Sequence, residues 1–202
     1  MMKIDLHVHS KYSKDSLLDL ETLRKIYDKK GIVPIITDHN TTRGNEKFGC
    51  KILAEEINTK DGEIIGLFMT EEIKSLLSLE ETLDILKKQD ALVMIPHPFD
   101  DIRKSTLKKI IIPNLIEVFN SRTIKGESNE KALNFANKNK ILKLANSDAH
   151  TRIEIGNAYN IIEDFNSKKE FLSNLKKAEF FCRKSPLIVH PYGKLVKLIK
   201  KF

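Results

Sequence analysis

The sequence predicts an α/β protein with a mainly parallel sheet, and three observations support this fold class. Short apolar runs alternate with segments whose apolar residues recur at helical spacing, which is typical of strands joined by covering helices. The 202 residues, 41% of them hydrophobic, are enough for one core. No linker rich in Gly, Ser or Pro divides them, so we expect a single domain over residues 1–202.

Seven apolar runs are short enough, and rich enough in β-branched residues, to be buried strands. The pattern alone does not separate a closed barrel from an open sheet. In chain order the predicted strands are Ile4–Val8, Ile32–Ile36, Ile52–Ile57, Glu63–Phe68, Ala91–Ile95, Leu115–Phe119 and Ile141–Ala145.

Capping and stop signals predict helices between these strands. Asp19 is a suitable N-cap for a helix that Gly31 ends. Ser78 and Glu81 have the spacing of a capping box, which predicts a helix to about Gln89. Two further helices are predicted over Glu127–Asn139 and Lys194–Phe202.

Five polar patches follow the predicted strands and contain five of the six histidines. Strand ends that meet at one rim would bring these patches together. The patches are Asp5-Leu6-His7-Val8-His9-Ser10, Asp15, Thr37-Asp38-His39-Asn40, Pro96-His97-Pro98 and Ser147-Asp148-Ala149-His150.

Two of these patches repeat a two-residue spacing that suits metal binding. Residues two apart in a strand point to the same face, so His7 and His9 would present two imidazoles about 6.5–7 Å apart along the backbone. Asp148 and His150 repeat the spacing with a carboxylate. An isolated pair of this kind is as often a surface or core pair. Imidazole and carboxylate together suit zinc, manganese or iron, and the repetition favours a metal site.

In this order and over nearly the whole chain, the motifs resemble those of the PHP (polymerase and histidinol phosphatase) superfamily. The resemblance implies a distorted (β/α)7 TIM-like barrel with two to three divalent ions, Mn, Zn or Fe, at the carboxyl ends of the strands. It implies a first metal on His7, His9, Glu56 and Asp148, a second shared by Glu56 with His97, and a third on Asp15, His39 and His150. Asp15 replaces a histidine of several members, which resembles the branch acting on nucleotides and small phosphoesters.

Three acidic sites leave alternatives open. Strand alternation lets only one of Glu55 and Glu56 face inward, and the family pattern favours Glu56. Glu63 stands where related sequences often carry a histidine ligand, so it is either a ligand of the second metal or a solvated acid beside a turn. Asp38 either orients His39 or serves as a turn residue.

Three further residues are expected at the rim. Arg122 follows a predicted strand, and its guanidinium either binds a substrate phosphate through two hydrogen bonds or forms a surface ion pair. His190 either donates a proton to the leaving oxygen, contacts phosphate, or is structural. Glu117 lies within an apolar strand and should face polar partners near the rim.

The expected reaction is hydrolysis of a phosphomonoester or nucleotide-type phosphoester by a metal-activated hydroxide. The alternatives are an exonuclease on short DNA or RNA and a noncatalytic nucleic-acid-binding barrel. A small phosphorylated substrate is expected, up to a nucleotide or short oligonucleotide, with no membrane and no obligate protein partner. The expected catalytic residues are Asp148, His150, Arg122 and His190.

Charge and composition narrow the partners less than the motifs do. The formal charge of +7 bears on the attraction of anionic ligands and on solubility rather than on specificity. Most lysines lie on predicted helix faces. Lys194–Phe202 should pack its apolar side on the fold, although it could instead bind nucleic acid or a membrane surface. Interleaved aromatic and basic residues, the mark of single-strand binding, are not expected. Without an apolar signal segment or membrane span, and with two cysteines expected to be reduced, we expect a cytoplasmic protein.

Overall fold

A computed structural model describes residues 1–109 and 111–200. The strands of these residues form two sheets, and seven of them overlap the predicted strands. In chain order they are β1 Met2–Val8, β2 Ile32–Ile36, β3 Ala54–Thr59, β4 Gly62–Leu67, β5 Leu92–Ile95, β6 Leu115–Asn120, β7 Leu142–Asn146, β8 Ala158–Ile162 and β9 Glu179–Cys182.

The pairing of the strands corrects the expectation of a mainly parallel sheet. One sheet has the order β2-β1-β8-β9 and the other β3-β4-β5-β6-β7. Among the strand pairs of the described residues, only β1–β2, β5–β6 and β6–β7 are parallel. Two residues, Lys60 and Asp61, join β3 to β4, which is too short for the crossover that parallel strands need. The prediction also missed β8 and β9.

The expected closed (β/α)7 barrel is not confirmed, because continuous pairing among the described residues stops between the two sheets. They meet at isolated parallel bridges, Val8 with Ala149 and His39 with Glu56. The His9 amide donates to the Ala149 carbonyl at 2.9 Å. The first bridge is flanked by predicted metal ligands, and the second is formed by two of them. The two sheets therefore meet where the predicted ligands lie.

The helix boundaries follow the capping signals closely. The Asp19 side chain accepts from the Thr22 amide, Gly31 ends the first helix in the left-handed region, and both bonds of the Ser78–Glu81 capping box are present. The short α2 and α5 were not predicted. The helices are α1 Leu20–Lys30, α2 Arg43–Phe48, α3 Leu79–Lys88, α4 Gly126–Asn139, α5 Lys168–Leu175 and α6 Val189–Ile199.

The C-terminal helix differs from its prediction in start and orientation. It begins at Val189, and Lys201 and Phe202 lie outside the described residues. Val189, Gly193 and Val196 form the buried stripe, at spacings of four and three residues. Leu195 and Leu198 lie off this stripe and are more than half exposed. Val196 therefore packs on the fold as expected, whereas these two leucines do not.

The largest hydrophobic core cluster fills the space between the sheets. Ile4 and Leu6 of β1 contribute to it, together with residues of β4, β5, β6, β7 and α5. This core supports the strands whose ends carry the predicted site. Among residues 1–109 and 111–200, every helix is too short or too polar to cross a membrane. Cys50 and Cys182 are free thiols.

Candidate metal centre

The nine predicted metal ligands lie together at one end of the two sheets, and all of their side chains are nearly or fully buried. Within each of four overlapping groups, the candidate ligand atoms lie within 4.8 Å of one another. The groups are His7–His9–Asp148, His7–Glu56–His97, His39–Glu56–Glu63 and His9–Asp15–His39–His150. The structure thus brings all nine predicted residues to one place.

Strand alternation in β1 presents two imidazoles to the cluster. His7 and His9 point to the same side, with their Nε2 atoms 3.1 Å apart, while Leu6 and Val8 are fully buried in the apolar core. Asp148 Oδ1 lies 3.4 Å from each Nε2 atom. Two imidazoles and a carboxylate facing one point form a suitable cradle for a divalent cation.

Glu56 occupies the middle of the cluster. Its Oε2 atom is 3.2 Å from His9 Nε2 and 3.1 Å from His39 Nδ1, and its Oε1 atom is 3.3 Å from His97 Nε2. Glu55 points to the other face of β3 and accepts from the Ile73 amide at 3.0 Å. Glu56 is therefore the inward residue of the pair.

Glu63 is buried, so its interpretation as a solvated acid beside a turn is wrong. Its carboxylate oxygens lie 3.6 Å from His39 Nδ1 and 3.7 Å from His97 Nε2. Asn58 Nδ2 donates to it at 2.8 Å and fixes its orientation. The carboxylate is in position to share a cation with Glu56 and His39.

Asp15 joins two further histidines on the outer side of the cluster. Its oxygens lie 3.3 Å from His150 Nε2 and 3.3 Å from His39 Nε2. His150 Nδ1 donates to the Asp148 carbonyl at 2.8 Å, which turns Nε2 toward Asp15.

Asp148 has φ 53° and His97 φ 31°, conformations that most residues avoid and that cluster at functional sites.

Two carboxylates outside the ligand set organise it. Glu117 Oε1 accepts from His7 Nδ1 at 3.1 Å and Oε2 accepts from the His97 amide at 2.7 Å, so it does face polar partners. The bond between Glu117 and His7 Nδ1 leaves His7 Nε2 free for a metal. Asp38 accepts from the amide and the hydroxyl of Ser10, both at 2.6 Å, and organises that loop.

The electrostatics of the cluster fit a cation. Burial alone would lower the pKa of His9, but the neighbouring carboxylates of Asp148 and Glu56 outweigh burial and raise this pKa to about 9. Burial would raise the pKa of Glu56, but the charges of His39 and His7 hold it well below its usual range. The carboxylates thus keep imidazoles protonated, and a bound divalent ion would displace these protons.

Buried atoms without hydrogen-bond partners give a second indication of fit. Asp148 Oδ1, His39 Nδ1 and His97 Nδ1 are each buried and lack a hydrogen bond. Buried polar atoms are otherwise almost always paired, and an ion is one explanation for such orphans. The nitrogen and oxygen donors match zinc, manganese and iron.

Above the cluster lies an open cleft of about 610 Å³ with a basic wall. Arg122 lines it and is buried, with Nε 3.1 Å from Glu154 Oε1, so its ion pair is a buried one. His190 lines the cleft from α6. Burial, followed by the charge of Arg122, lowers the pKa of His190.

Sequence reasoning missed two cations in this wall. Arg103 Nη2 lies 2.7 Å from Asp148 Oδ2, and Lys197 Nζ lies 3.2 Å from Asp15 Oδ2. Arg103 lies six residues after His97, and this proximity in sequence was the available signal. Lys197 lies on a helix that also carries Lys194, and no local pattern separates the two lysines.

Comparisons with known proteins concern the family and the fold of the chain. A family model described as PHP-associated matches residues 126–180, from α4 into β9. The uncharacterized protein MJ0417 of Methanocaldococcus jannaschii is 43% identical over 218 residues, covering 96% of this chain and 91% of that protein. This similarity extends over nearly the whole sequence.

Two solved structures share the fold. A two-domain protein from Bacteroides vulgatus, described as containing a predicted PHP-like metal-dependent phosphoesterase, has a TM-score of 0.70 and 17% identity. The match covers 90% of this chain but only 65% of that protein. PsfC from Pseudomonas syringae has a TM-score of 0.68 and 13% identity over 98% of both chains. At such identities the similarity concerns the fold.

Proposed function

Because the chain belongs to the PHP (polymerase and histidinol phosphatase) superfamily, we propose that it is a metal-dependent phosphoesterase that hydrolyses a phosphomonoester or nucleotide-type phosphoester. The observation that carries this proposal is the set of four overlapping groups of buried imidazoles and carboxylates. A buried set of this kind is costly unless ions or protons compensate it. The basic wall above it is suited to an anionic substrate.

Two to three divalent ions, Mn, Zn or Fe, are proposed for the four groups, and Glu56 belongs to two of these groups. When bound, such ions supply a hydroxide nucleophile at neutral pH and offset the charge that develops on the phosphoryl oxygens. The protein contributes the orientation. Glu117 fixes the His7 ring, and Asn58 fixes Glu63.

The arginines are proposed to hold the phosphate. Glu154 engages Nε of Arg122 and thereby fixes the plane of a guanidinium that lines the cleft. Arg103 lies on the same wall and contacts Asp148, so it links the anion site to the cluster. Planar guanidinium groups match phosphate geometry better than a point charge does.

His190 is proposed to contact the substrate as a neutral imidazole. Burial and the charge of Arg122 lower its pKa and so favour the neutral imidazole over the form that donates a proton. Its place in the wall is suitable for a hydrogen bond to a phosphoryl or leaving oxygen.

A panel of substrates tests the proposal. Mononucleotides, nucleotide bisphosphates, sugar phosphates, histidinol phosphate and short oligonucleotides should be assayed with manganese, zinc and iron. We expect hydrolysis of at least one class, dependent on metal and abolished in Asp148→Asn purified in parallel. Retained metal binding without hydrolysis of any of them would favour the noncatalytic alternative. Preference for oligonucleotides would favour the exonuclease.

A further inference from the structure

A tyrosine surrounded by cations lies outside the cleft. The Tyr12 ring is half-buried, and its centroid lies 5.8 Å from Lys11 Nζ, 5.4 Å from Arg43 Cζ and 5.3 Å from Lys47 Nζ. The three basic residues are exposed. We call these four residues the Tyr12 patch. Lys11 and Tyr12 are neighbours in the sequence, but Arg43 and Lys47 come from α2, so the sequence alone did not bring the four residues together.

The backbone beneath the patch is held tightly. A Cβ atom on Gly44 would lie 1.9 Å from Asp38 Oδ2 and 2.6 Å from Ser10 Oγ, so α2 approaches the loop this closely only with glycine there. The Tyr12 amide donates to Ser10 Oγ at 3.2 Å. Arg43 and Lys47 are therefore carried on a helix whose position against Tyr12 is fixed.

The charges of the patch lack internal compensation. None of Lys11, Arg43 and Lys47 forms an ion pair with a carboxylate in the part of the chain that the structure describes. Glu46, the acid on the same helix, accepts from the Thr42 hydroxyl at 2.8 Å. Three like charges around one ring repel one another, and a polyanion would relieve that repulsion.

The patch is continuous with the metal cluster through a short loop. Tyr12 and Asp15 are three residues apart, which limits their separation to about 11 Å. Lys14, between them, is exposed and lines the cleft. Ser13 Oγ lies 3.1 Å from His9 Nδ1, so the loop is fastened to the cluster.

We propose that the Tyr12 patch binds single-stranded nucleic acid, with backbone phosphates on Lys11, Arg43 and Lys47 and a base stacked on the Tyr12 ring. An aromatic platform inside a cluster of cations is the arrangement that suits this ligand. Lys14 then leads the strand end toward the cleft. Entry into the cleft rests on the proposed function, whereas binding at the patch does not.

Binding without catalysis provides the first test. Labelled single strands of about 12 nucleotides, one RNA and one DNA, are titrated with the full chain in EDTA and followed by fluorescence anisotropy. The variant Arg43→Gln/Lys47→Gln should bind at least tenfold more weakly. The slope of log affinity against log salt should become shallower by about 1.4, since two phosphate contacts are lost.

A matched control separates the patch from net charge. Lys29→Gln/Lys30→Gln removes the same charge from the last turn of α1 and should change affinity less than twofold. An equal loss in both double variants would overturn the assignment. Tighter binding of RNA or of DNA identifies the preferred strand, and measurable binding of neither by the wild-type protein would also overturn it.

The ring is tested separately. Tyr12→Phe should keep affinity within about twofold, whereas Tyr12→Ala should lose roughly 5- to 100-fold. Wild-type affinity in Tyr12→Ala would contradict stacking. Hydrolysis of small phosphomonoesters by the wild-type protein is measured in parallel and tests the proposed function, so a failure of either proposal is visible by itself.

Discussion

The floor of the cleft comes from residues at strand ends, whereas its outer wall comes from a loop and a helix. His7 and Glu56 in the floor lie on β1 and β3. Arg103 and Lys197 in the wall lie on the segment after β5 and on α6. The floor combines imidazoles with carboxylates, and the wall carries most of the cations. Under the proposed function, the floor would hold the metal cations and the wall would hold the anionic substrate.

The two regions also differ in how their charges are stabilised. In the floor, the charges of Arg103 and His7 outweigh burial and hold the pKa of Asp148 well below its usual range. In the wall, Arg122 is paired with Glu154, while burial and the neighbouring arginine lower the pKa of His190. In the floor, imidazoles and Arg103 balance the buried carboxylates, whereas in the wall a carboxylate balances Arg122.

The largest effect is expected from a change in the floor. Asp148→Asn keeps the shape of the side chain and tolerates the residue's positive φ, but removes the charge near His7, His9 and Arg103. We expect kcat/KM to fall by at least about 1000-fold, equivalent to about 4 kcal/mol. Metal content should fall as well, while circular dichroism shows a folded protein. Activity within tenfold of wild type would place the active site elsewhere.

His9→Ala should behave in the same way. It removes one imidazole from two of the four groups, and strand-end ligands contribute little to the core. Activity and metal content measured together would show whether the floor acts as one unit.

The floor could be predicted from the sequence because its information is local. Strand alternation places His7 and His9 on one face and lets only one of Glu55 and Glu56 face inward, and the family resemblance favoured Glu56. Glu117 was recognised as a carboxylate needing polar partners. These residues needed only the strand boundaries, which were correct within about two positions.

The wall and the sheet pairing could not be predicted in this way. Arg103 reaches Asp148 from a loop, and Lys197 reaches Asp15 from a helix whose start was expected five residues later. The antiparallel strands β8 and β9 carry no motif. Such features depend on packing between segments that are distant in the sequence. Hydrophobic periodicity and motif spacing do not encode this packing.

Arg122 in the wall should give an intermediate effect. Arg122→Ala should lower kcat/KM by roughly 10- to 1000-fold with metal content intact, and Arg122→Lys should lie between this variant and wild type. Because the change also leaves buried Glu154 unpaired, it should cost about 3–5 kcal/mol of stability.

The variant Arg122→Ala/Glu154→Gln separates these effects. It should recover most of the stability, measured by urea unfolding, without recovering activity. Recovery of activity with stability would show that Arg122 acts only through the fold, and wild-type kcat/KM in Arg122→Ala would remove it from substrate binding.

The floor should also make metal binding depend on pH. With the pKa of His9 raised to about 9, metal must displace its proton at neutral pH, so apparent metal affinity should rise between pH 6 and 9. In the metal-free protein, the stability from this proton is fully present below the unfolded pKa of about 6.5 and is lost as the pH rises through about 9.

Calorimetry in buffers of different ionisation enthalpy measures the protons released. His190→Gln, a change in the wall, serves as the control and should leave proton release unchanged. Metal affinity independent of pH over this range would contradict the electrostatic account of the floor.

The smallest effects are expected where the wall is anchored. Val196 on α6 is 1% exposed and Leu198 is 58% exposed. Val196→Ala should cost about 2 kcal/mol of unfolding free energy, whereas Leu198→Ala should change it by less than about 0.5 kcal/mol. Denaturant titration of both variants checks this order. The reverse order would show that α6 packs through its leucines.

Metal stoichiometry tests the central claim most directly. Elemental analysis of wild-type protein purified without chelator, and again after supplementation with manganese, zinc or iron, counts the ions held by the floor. We predict two to three equivalents per chain, falling in Asp148→Asn. Less than one equivalent after supplementation would contradict a multinuclear centre.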